Sequence, residues 1–266
     1  MKIVNENNGS RNCMVIPLMN IEEFKTTDYY KLLKDNNLVD FMFVEDGSPG
    51  FHFSKSMNRG IERCLELDYE FITLSTNNIS FSEQDKTFFI SYMINMKELP
   101  NLPKNTYYVM KMVNGNPNRN ILTFSAIKYL FNGIVSKYPF FTLKRYWQMK
   151  KEKVPNMYVT RTSLQSGFYG VMPFSIFSAD LLRTYKFDEN IKNCLEDTDL
   201  SYRLYNDEIS IYIIPLDVIH KGNASFKKLN QWNKLSGYYN HDDYKNNLIY
   251  MYHKYYGNLI GYGVNK

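Results

Sequence analysis

Phe41-Met-Phe-Val-Glu-Asp-Gly-Ser-Pro-Gly50 is the stretch from which the fold is read. Its apolar half, Phe41 to Val44, is unbroken and ends at Glu45-Asp-Gly-Ser-Pro-Gly50, a turn by composition. A short apolar run bounded by turn residues predicts a buried strand. The same pattern recurs on either side. Cys13-Met-Val-Ile16 stops at Pro17, and Phe71-Ile-Thr-Leu74 stops at the polar Ser75-Thr-Asn-Asn78. Tyr107 to Val113 is a fourth strand candidate.

Helical patterns fill the gaps between these strands. Ile21 to Lys34 carries Phe24, Tyr29, Leu32 and Leu33. Lys55 to Leu67 places Met57, Ile61, Cys64 and Leu65 at i, i+4, i+7 and i+8. Ser82, with Asp85 three residues on, reads as the N-cap of a helix that presents Phe88, Phe89, Tyr92, Met93 and Met96 on one face. Strand and helix alternation predicts an α/β domain with a largely parallel sheet. Such sheets bind ligands beyond the carboxyl ends of their strands, here Pro17, Glu45-Asp46 and Ser75 to Asn78.

Further along, Ile121 to Val135 reads as an apolar helix and Lys137 to Val154 as a basic, aromatic connector. Met157 to Thr162, Gly170 to Phe174 and Ile211 to Ile214 read as strands, and Ala179 to Tyr185 and Asp197 to Tyr205 as helices. Tyr244, Leu248, Met251, Tyr252 and Tyr255 recur at helical spacing. The chain therefore divides into a domain over 1–225 and a C-terminal helical extension over 226–266 that packs on it.

Composition bounds the function. Of 266 residues, 44% are hydrophobic, 22% charged and 16% aromatic, which excludes disorder. The net charge of +5 is not gathered into a basic stripe, so nucleic acid is not an expected partner. Cys13, Cys64 and Cys194 lie far apart in apolar or amphipathic surroundings, as buried reduced thiols do. Met1 to Asn12 is polar and unlike a signal peptide. No apolar run of about 18 residues predicts a membrane span. A reducing, cytoplasmic location is the expectation.

The stretch from Gly167 to Ser225 holds the chemistry. Glu196, Asp197 and Asp199 follow the Asp188-Glu189 pair and open a helix. A general base needs a carboxylate fixed on a rigid element near its target proton, and such an acidic knot supplies one. The same residues also complement the helix dipole, so both roles stay open from the residues alone.

Taken together, these pieces resemble the GT-A-fold inverting glycosyltransferases of the large family that includes bacterial rhamnosyltransferases. Val15-Ile-Pro-Leu-Met-Asn20 resembles its opening strand, Val44-Glu-Asp-Gly-Ser48 its second strand end, and Asn58-Arg-Gly60 the start of the next helix. Lys186-Phe-Asp-Glu189, Glu196-Asp-Thr-Asp-Leu-Ser-Tyr-Arg203, then Pro215 to His220 and Ser225 follow in order. Asp242 to Tyr256 more loosely resembles the helix that often follows. The resemblance implies a GT-A fold: a mixed, mostly parallel sheet flanked by helices, with a C-terminal helical segment. It implies a nucleotide-diphosphate-sugar donor, UDP- or dTDP-linked, and a glycan or protein-linked acceptor.

It also implies roles. Asp197 is the general base, with Glu196 beside it. Asp46 accepts a hydrogen bond from the nucleotide base, or else shapes an Asx-turn. Pro17 and Asn20 edge the base pocket or form its turn. Asn58 and Arg59 face the base or diphosphate, although Arg59 equally suits a surface helix. Arg203, one turn beyond Asp199, is expected to pair with the acidic knot. Ser75 and Asn77 occupy the place where the family carries a metal-binding acidic motif, and no carboxylate stands there. Two arrangements keep activity. In one, Asn77 and His220 hold Mn²⁺ or Mg²⁺ weakly. In the other, no metal is needed and Lys221, Arg161 or Arg59 stabilises the leaving diphosphate. A third outcome is a degenerate protein that binds nucleotide, sugar or a partner without turnover.

Overall fold

The computed structural model describes residues 1–47, 51–98, 105–113, 171–193 and 195–220, with positions 246, 247, 250, 251 and 254. The expected helix at 121–135, the connector, the strand at 157–162, Cys194, Arg161, Lys221, Ser225 and the 225/226 boundary lie outside the described residues.

The strands are β1 (Lys2–Glu6), β2 (Asn12–Leu18), β3 (Asp40–Glu45), β4 (Phe71–Ser75), β5 (Ile79–Ser80), β6 (Thr106–Val113), β7 (Phe174–Ser178) and β8 (Ser210–His220). The helices are α1 (Ile21–Lys25), α2 (Asp28–Asp35), α3 (Phe53–Glu66), α4 (Glu83–Glu98), α5 (Ala179–Thr184) and α6 (Glu196–Asn206). One eight-stranded sheet runs β1-β3-β2-β4-β7-β6-β8-β5. β2 pairs in parallel with β3 and β4, and β6 with β8. β1, β5 and β7 run against their neighbours. The chain is thus α/β with a mixed sheet flanked by helices.

The central strands are apolar on both faces because both faces are covered. Met14, Ile16 and Leu18 of β2, with Phe41 and Phe43 of β3, point to a layer formed with Phe24, Tyr29, Leu33 and Phe89. Their neighbours Cys13, Val15, Met42 and Val44 point the other way, onto Met57, Ile61 and Cys64 of α3 and Leu200 and Leu204 of α6. Cys13 and Cys64 are buried free thiols, as their apolar surroundings predicted.

Several local expectations shift. The helical pattern at 21–34 becomes two helices, because Thr27 turns extended and its side chain caps α2 at the N–H of Tyr30. Phe88 is 44% exposed and stacks on Tyr92, while Phe89 and Met93 carry the packing of α4. The strand expected over 170–174 begins at Phe174, where it pairs antiparallel with β4. The polar segment before Asn12 contains β1, whose side chains are mostly exposed and whose backbone pairs with β3. Hydrophobic patterning does not mark such an edge strand, because beyond its main-chain pairing only Val4 packs partly on the core, while Glu6 is held by Lys25 and Tyr30.

Gly60 explains why α3 lies so close to the sheet. A Cβ there would collide with Val15 Cγ1 and stand 3.0 Å from Val44 Cγ2.

Among the described positions of the C-terminal segment, Asn247, Tyr250, Met251 and Lys254 recur at helical spacing. Asn247 and Met251 are buried. Met251 belongs to the face read from the sequence, and the other three do not. Lys254 Nζ sits 2.7 Å from both Asp188 Oδ2 and Asp199 Oδ1. The Tyr250 hydroxyl donates to Asp188 Oδ2 at 2.9 Å. Burial works to raise the Asp188 carboxyl, but the Lys254 ammonium, the Asn190 N–H and the Tyr250 hydroxyl outweigh it and hold it at about 2. This folded value lies below the ordinary 3.8. The associated stability is therefore complete above the ordinary value and is lost as pH falls from there towards the folded value. The loss is about 2 kcal/mol, and urea titrations at stepped pH should show it shrink in Lys254→Met.

Candidate active site

Three parallel strand ends lie side by side. In register, Pro17 faces Val44, Leu18 faces Glu45 and Val15 faces Leu74. The segments that follow, Met19-Asn20, Asp46-Gly47 and Thr76 to Asn78, therefore share the carboxyl edge of the sheet. Side-chain and main-chain bonds tie the first two together. Asp46 N–H donates to the Leu18 carbonyl at 2.8 Å. Ile21 N–H donates to Glu45 Oε1 at 2.8 Å. A Cβ on Gly47 would stand 3.2 Å from the Met19 carbonyl oxygen. Pro17 itself is buried within β2.

The acidic helix reaches the same edge by a different route. β7 starts where β4 ends, with Phe174 opposite Ser75. Thr76 N–H donates to the Pro173 carbonyl at 3.1 Å. Two residues earlier, Val171 N–H donates to Ser201 Oγ at 3.0 Å, and Ser201 Oγ donates to the Asp197 carbonyl at 2.5 Å. The first turn of α6, carrying Glu196 and Asp197, is thus linked to the end of β4. A second set of bonds fixes the approach to α6. Asn193 Oδ1 accepts from Phe53 N–H at 2.9 Å, and its amide donates to the Phe51 carbonyl at 2.9 Å. Ser54 Oγ donates to the Ile191 carbonyl.

The carboxylates of the knot have different surroundings. Asp199 is fully buried and engaged by Arg203 Nε at 2.9 Å and Lys254 Nζ at 2.7 Å. The expected pairing of Arg203 with the knot is what the structure has, and Arg203 also donates to the Lys186 carbonyl at 2.5 Å. Asp197 is 6% exposed and Glu196 half-buried.

Other nominated residues have structural duties. Asn58 accepts from Phe187 N–H at 2.9 Å and donates to the Phe187 carbonyl at 2.9 Å and Glu189 Oε1 at 3.1 Å. It fastens the 187–189 segment to α3, and its amide is engaged there. Arg59 pairs with Glu62 on the surface of α3 at 3.2 Å, the surface-helix alternative. Asn20 caps α1, accepting from Glu23 N–H at 3.1 Å. Ser75 is fully buried, and its hydroxyl shares a 2.9 Å hydrogen bond with that of Tyr29. Asn77 lines a cavity of about 320 Å³ beside this edge, and so does Asn20. His220 ends β8 opposite Ile79, two residues beyond Asn77.

These donors do not fit Mn²⁺ or Mg²⁺. The end of β4 offers hydroxyls and amides, with one imidazole at the end of β8, opposite β5, whereas such ions take hard anionic oxygens. Among the described residues no group of three or more His, Cys, Asp or Glu is placed to hold a metal ion.

Some contributors left no sequence signal. His52 caps α3 through Nδ1, which accepts from Lys55 N–H at 3.3 Å, while Nε2 lies 3.0 Å from the Glu189 carbonyl. Burial pushes its pKa down against the Glu189 carbonyl, assisted by Lys192 and Lys55, and the neutral ring is the form that can cap. Tyr29, Asn193 and Lys254 likewise act on residues far away in the chain. Among the described residues no helix is long and apolar enough to cross a membrane. Compared with protein-family models and with curated proteins, the chain matches none.

Proposed function

We propose that the chain is an inverting glycosyltransferase of GT-A type, moving a sugar from a nucleotide-diphosphate donor to a hydroxyl acceptor on a glycan or protein. The observation that carries this reading is the convergence on one sheet edge of Asp46, the residues after Pro17, and the first turn of α6. Segments separated by about 150 residues of chain share that edge, as ligand sites of open α/β sheets do.

In this reading Asp46 anchors the nucleotide base and Asp197 is the general base. The acceptor oxygen forms its bond to the anomeric carbon as the bond from that carbon to the diphosphate oxygen breaks. The diphosphate leaves with the electron pair, and the hydroxyl proton passes to the Asp197 carboxylate. Attack from the face opposite the diphosphate inverts the configuration. Burial of Asp197 limits competing water, and the Ser201 and Val171 bonds fix its turn. With no carboxylate at the end of β4, neutralisation of the diphosphate falls to protein cations and backbone N–H groups.

A thermal-shift panel of UDP, dTDP and their sugar conjugates, with and without EDTA, tests the binding half. The expected result is stabilisation by one nucleotide that EDTA leaves unchanged. A ligand at 100 times its dissociation constant should add about 2.7 kcal/mol. Stabilisation only with Mn²⁺ would show that Asn77 and His220 hold the ion. The carboxylate-free end of β4, with Ser75 engaged by Tyr29, favours one second reading: a protein that binds nucleotide or sugar without turnover. Binding without transfer to any acceptor is its signature.

A further inference from the structure

The cavity of about 320 Å³ next to the carboxyl edge has a chemistry of its own. It lies between the loop after β2, helices α1 and α2, and the segment from Asn77 to the start of α4. Asn20, Asn77 and Asn78 are among its lining residues, with the acidic Glu23 and Asp28. Tyr29 and Phe81 give it an aromatic side, their rings 6.0 Å apart and tilted by 58°. Lys86 also lines it, but its ammonium sits 2.6 Å from Glu83 Oε1.

Two features select a ligand. The first is charge: two carboxylates line the cavity against one lysine that is already paired. A phosphate or diphosphate would meet net repulsion there, so the cavity does not suit the charged part of a nucleotide. The second is an unmet bond. Asn78 Oδ1 is closed off from solvent and has no hydrogen-bond partner. Leaving such an acceptor unpaired costs about 1–3 kcal/mol. Asn78 lines the cavity, and a ligand donor reaches its oxygen only once the amide turns about its soft terminal torsion.

We infer that this cavity binds a neutral, hydroxyl-rich ligand of mono- or disaccharide size. Sugars present O–H donors to amide and carboxylate oxygens and C–H faces to aromatic rings. The volume lies at the small end of ligand pockets, about 300–1,000 Å³. The cavity shares Met19, Asn20 and Asn77 with the edge proposed for the donor, but the assignment uses neither Asp46 nor Asp197 and requires no turnover.

Saturation-transfer NMR on the full chain, without nucleotide, tests it. The probes are D-glucose, D-galactose and L-rhamnose, each alone, with glucose 1-phosphate as the charged counterpart. At least one neutral sugar should receive saturation, and its glycosyl phosphate should receive less. Asn78→Leu should weaken binding about fivefold or more, the loss of one hydrogen bond. Asp28→Asn, at an exposed position, gives the same reading should Asn78→Leu unfold. Asp46→Ala should leave the sugar signal intact, so a failed nucleotide panel and a failed sugar panel are separate results. Three outcomes overturn the inference: no saturation of any neutral sugar, a signal unchanged in both cavity variants, or tighter binding of the sugar phosphate.

Discussion

Asp197→Asn is expected to lower the rate of sugar transfer about 10²–10⁴-fold, the contribution of a positioned general base. Asparagine has nearly the same shape and keeps hydrogen-bonding atoms at a site that is 6% exposed. It cannot accept the acceptor proton. The backbone bond from Ser201 Oγ to the carbonyl of residue 197 does not depend on the side chain. Nucleotide binding and the melting temperature should therefore stay close to those of the parent while single-turnover transfer collapses. Asp199→Asn is the informative control. Its carboxylate is fully buried between Arg203 and Lys254. Removing one partner of a buried ionic group costs about 3–5 kcal/mol when the remainder is left uncompensated. Here both cations keep partial solvent contact, so the loss should fall below that range, as stability first and activity second. Retention of most of the activity by Asp197→Asn would remove Asp197 from the mechanism.

The other large effect concerns the scaffold. Gly60→Ala inserts a methyl group where α3 meets β2 and β3, against Val15 Cγ1 and 3.0 Å from Val44 Cγ2. Both valines are fully buried in the strands, so neither can swing into solvent. Overpacking of this kind costs about 1–3 kcal/mol, and here the upper end is expected because the contact is with two stiff β-branched side chains. The better helix propensity of alanine offsets about 1 kcal/mol at most. Urea denaturation should show a lower midpoint with an unchanged slope. Val15→Ala on the Gly60→Ala background should recover part of the loss, since adjacent sites couple. An unchanged midpoint would mean that α3 lifts off the sheet at little cost. The first turns of α3, from His52 to Asn58, which fasten the 187–193 segment, would then move with it.

The site and the scaffold were not equally legible. Short apolar runs ending in turn residues located β2, β3 and β4, and the spacing of Met57, Ile61 and Cys64 located α3. With the rule that ligands bind at the carboxyl ends of such strands, this was enough to put Pro17, Asp46 and Ser75 to Asn78 on one edge. The Ser82 cap with Asp85 was equally readable, because both partners lie within one turn. Each of these features depends on residues close together in the chain.

What local sequence determined, then, was the succession of central strands and helices, the buried thiols Cys13 and Cys64, and the residues at the strand ends. Only the tertiary structure decided what those residues do. It sets Ser75 against Tyr29, engages Asn58 with Phe187 and Glu189, and closes Asp199 under Arg203 and Lys254, while Asp197 stays beside the sheet edge. It also turns the polar Lys2–Glu6 into a strand and inserts β7 against the direction of β4. The physical reason is common to all of them. A hydrogen bond or ion pair between residues 46, 129 or 55 positions apart leaves no periodic trace in either partner's neighbourhood, and it exists only once the sheet has brought the two segments together.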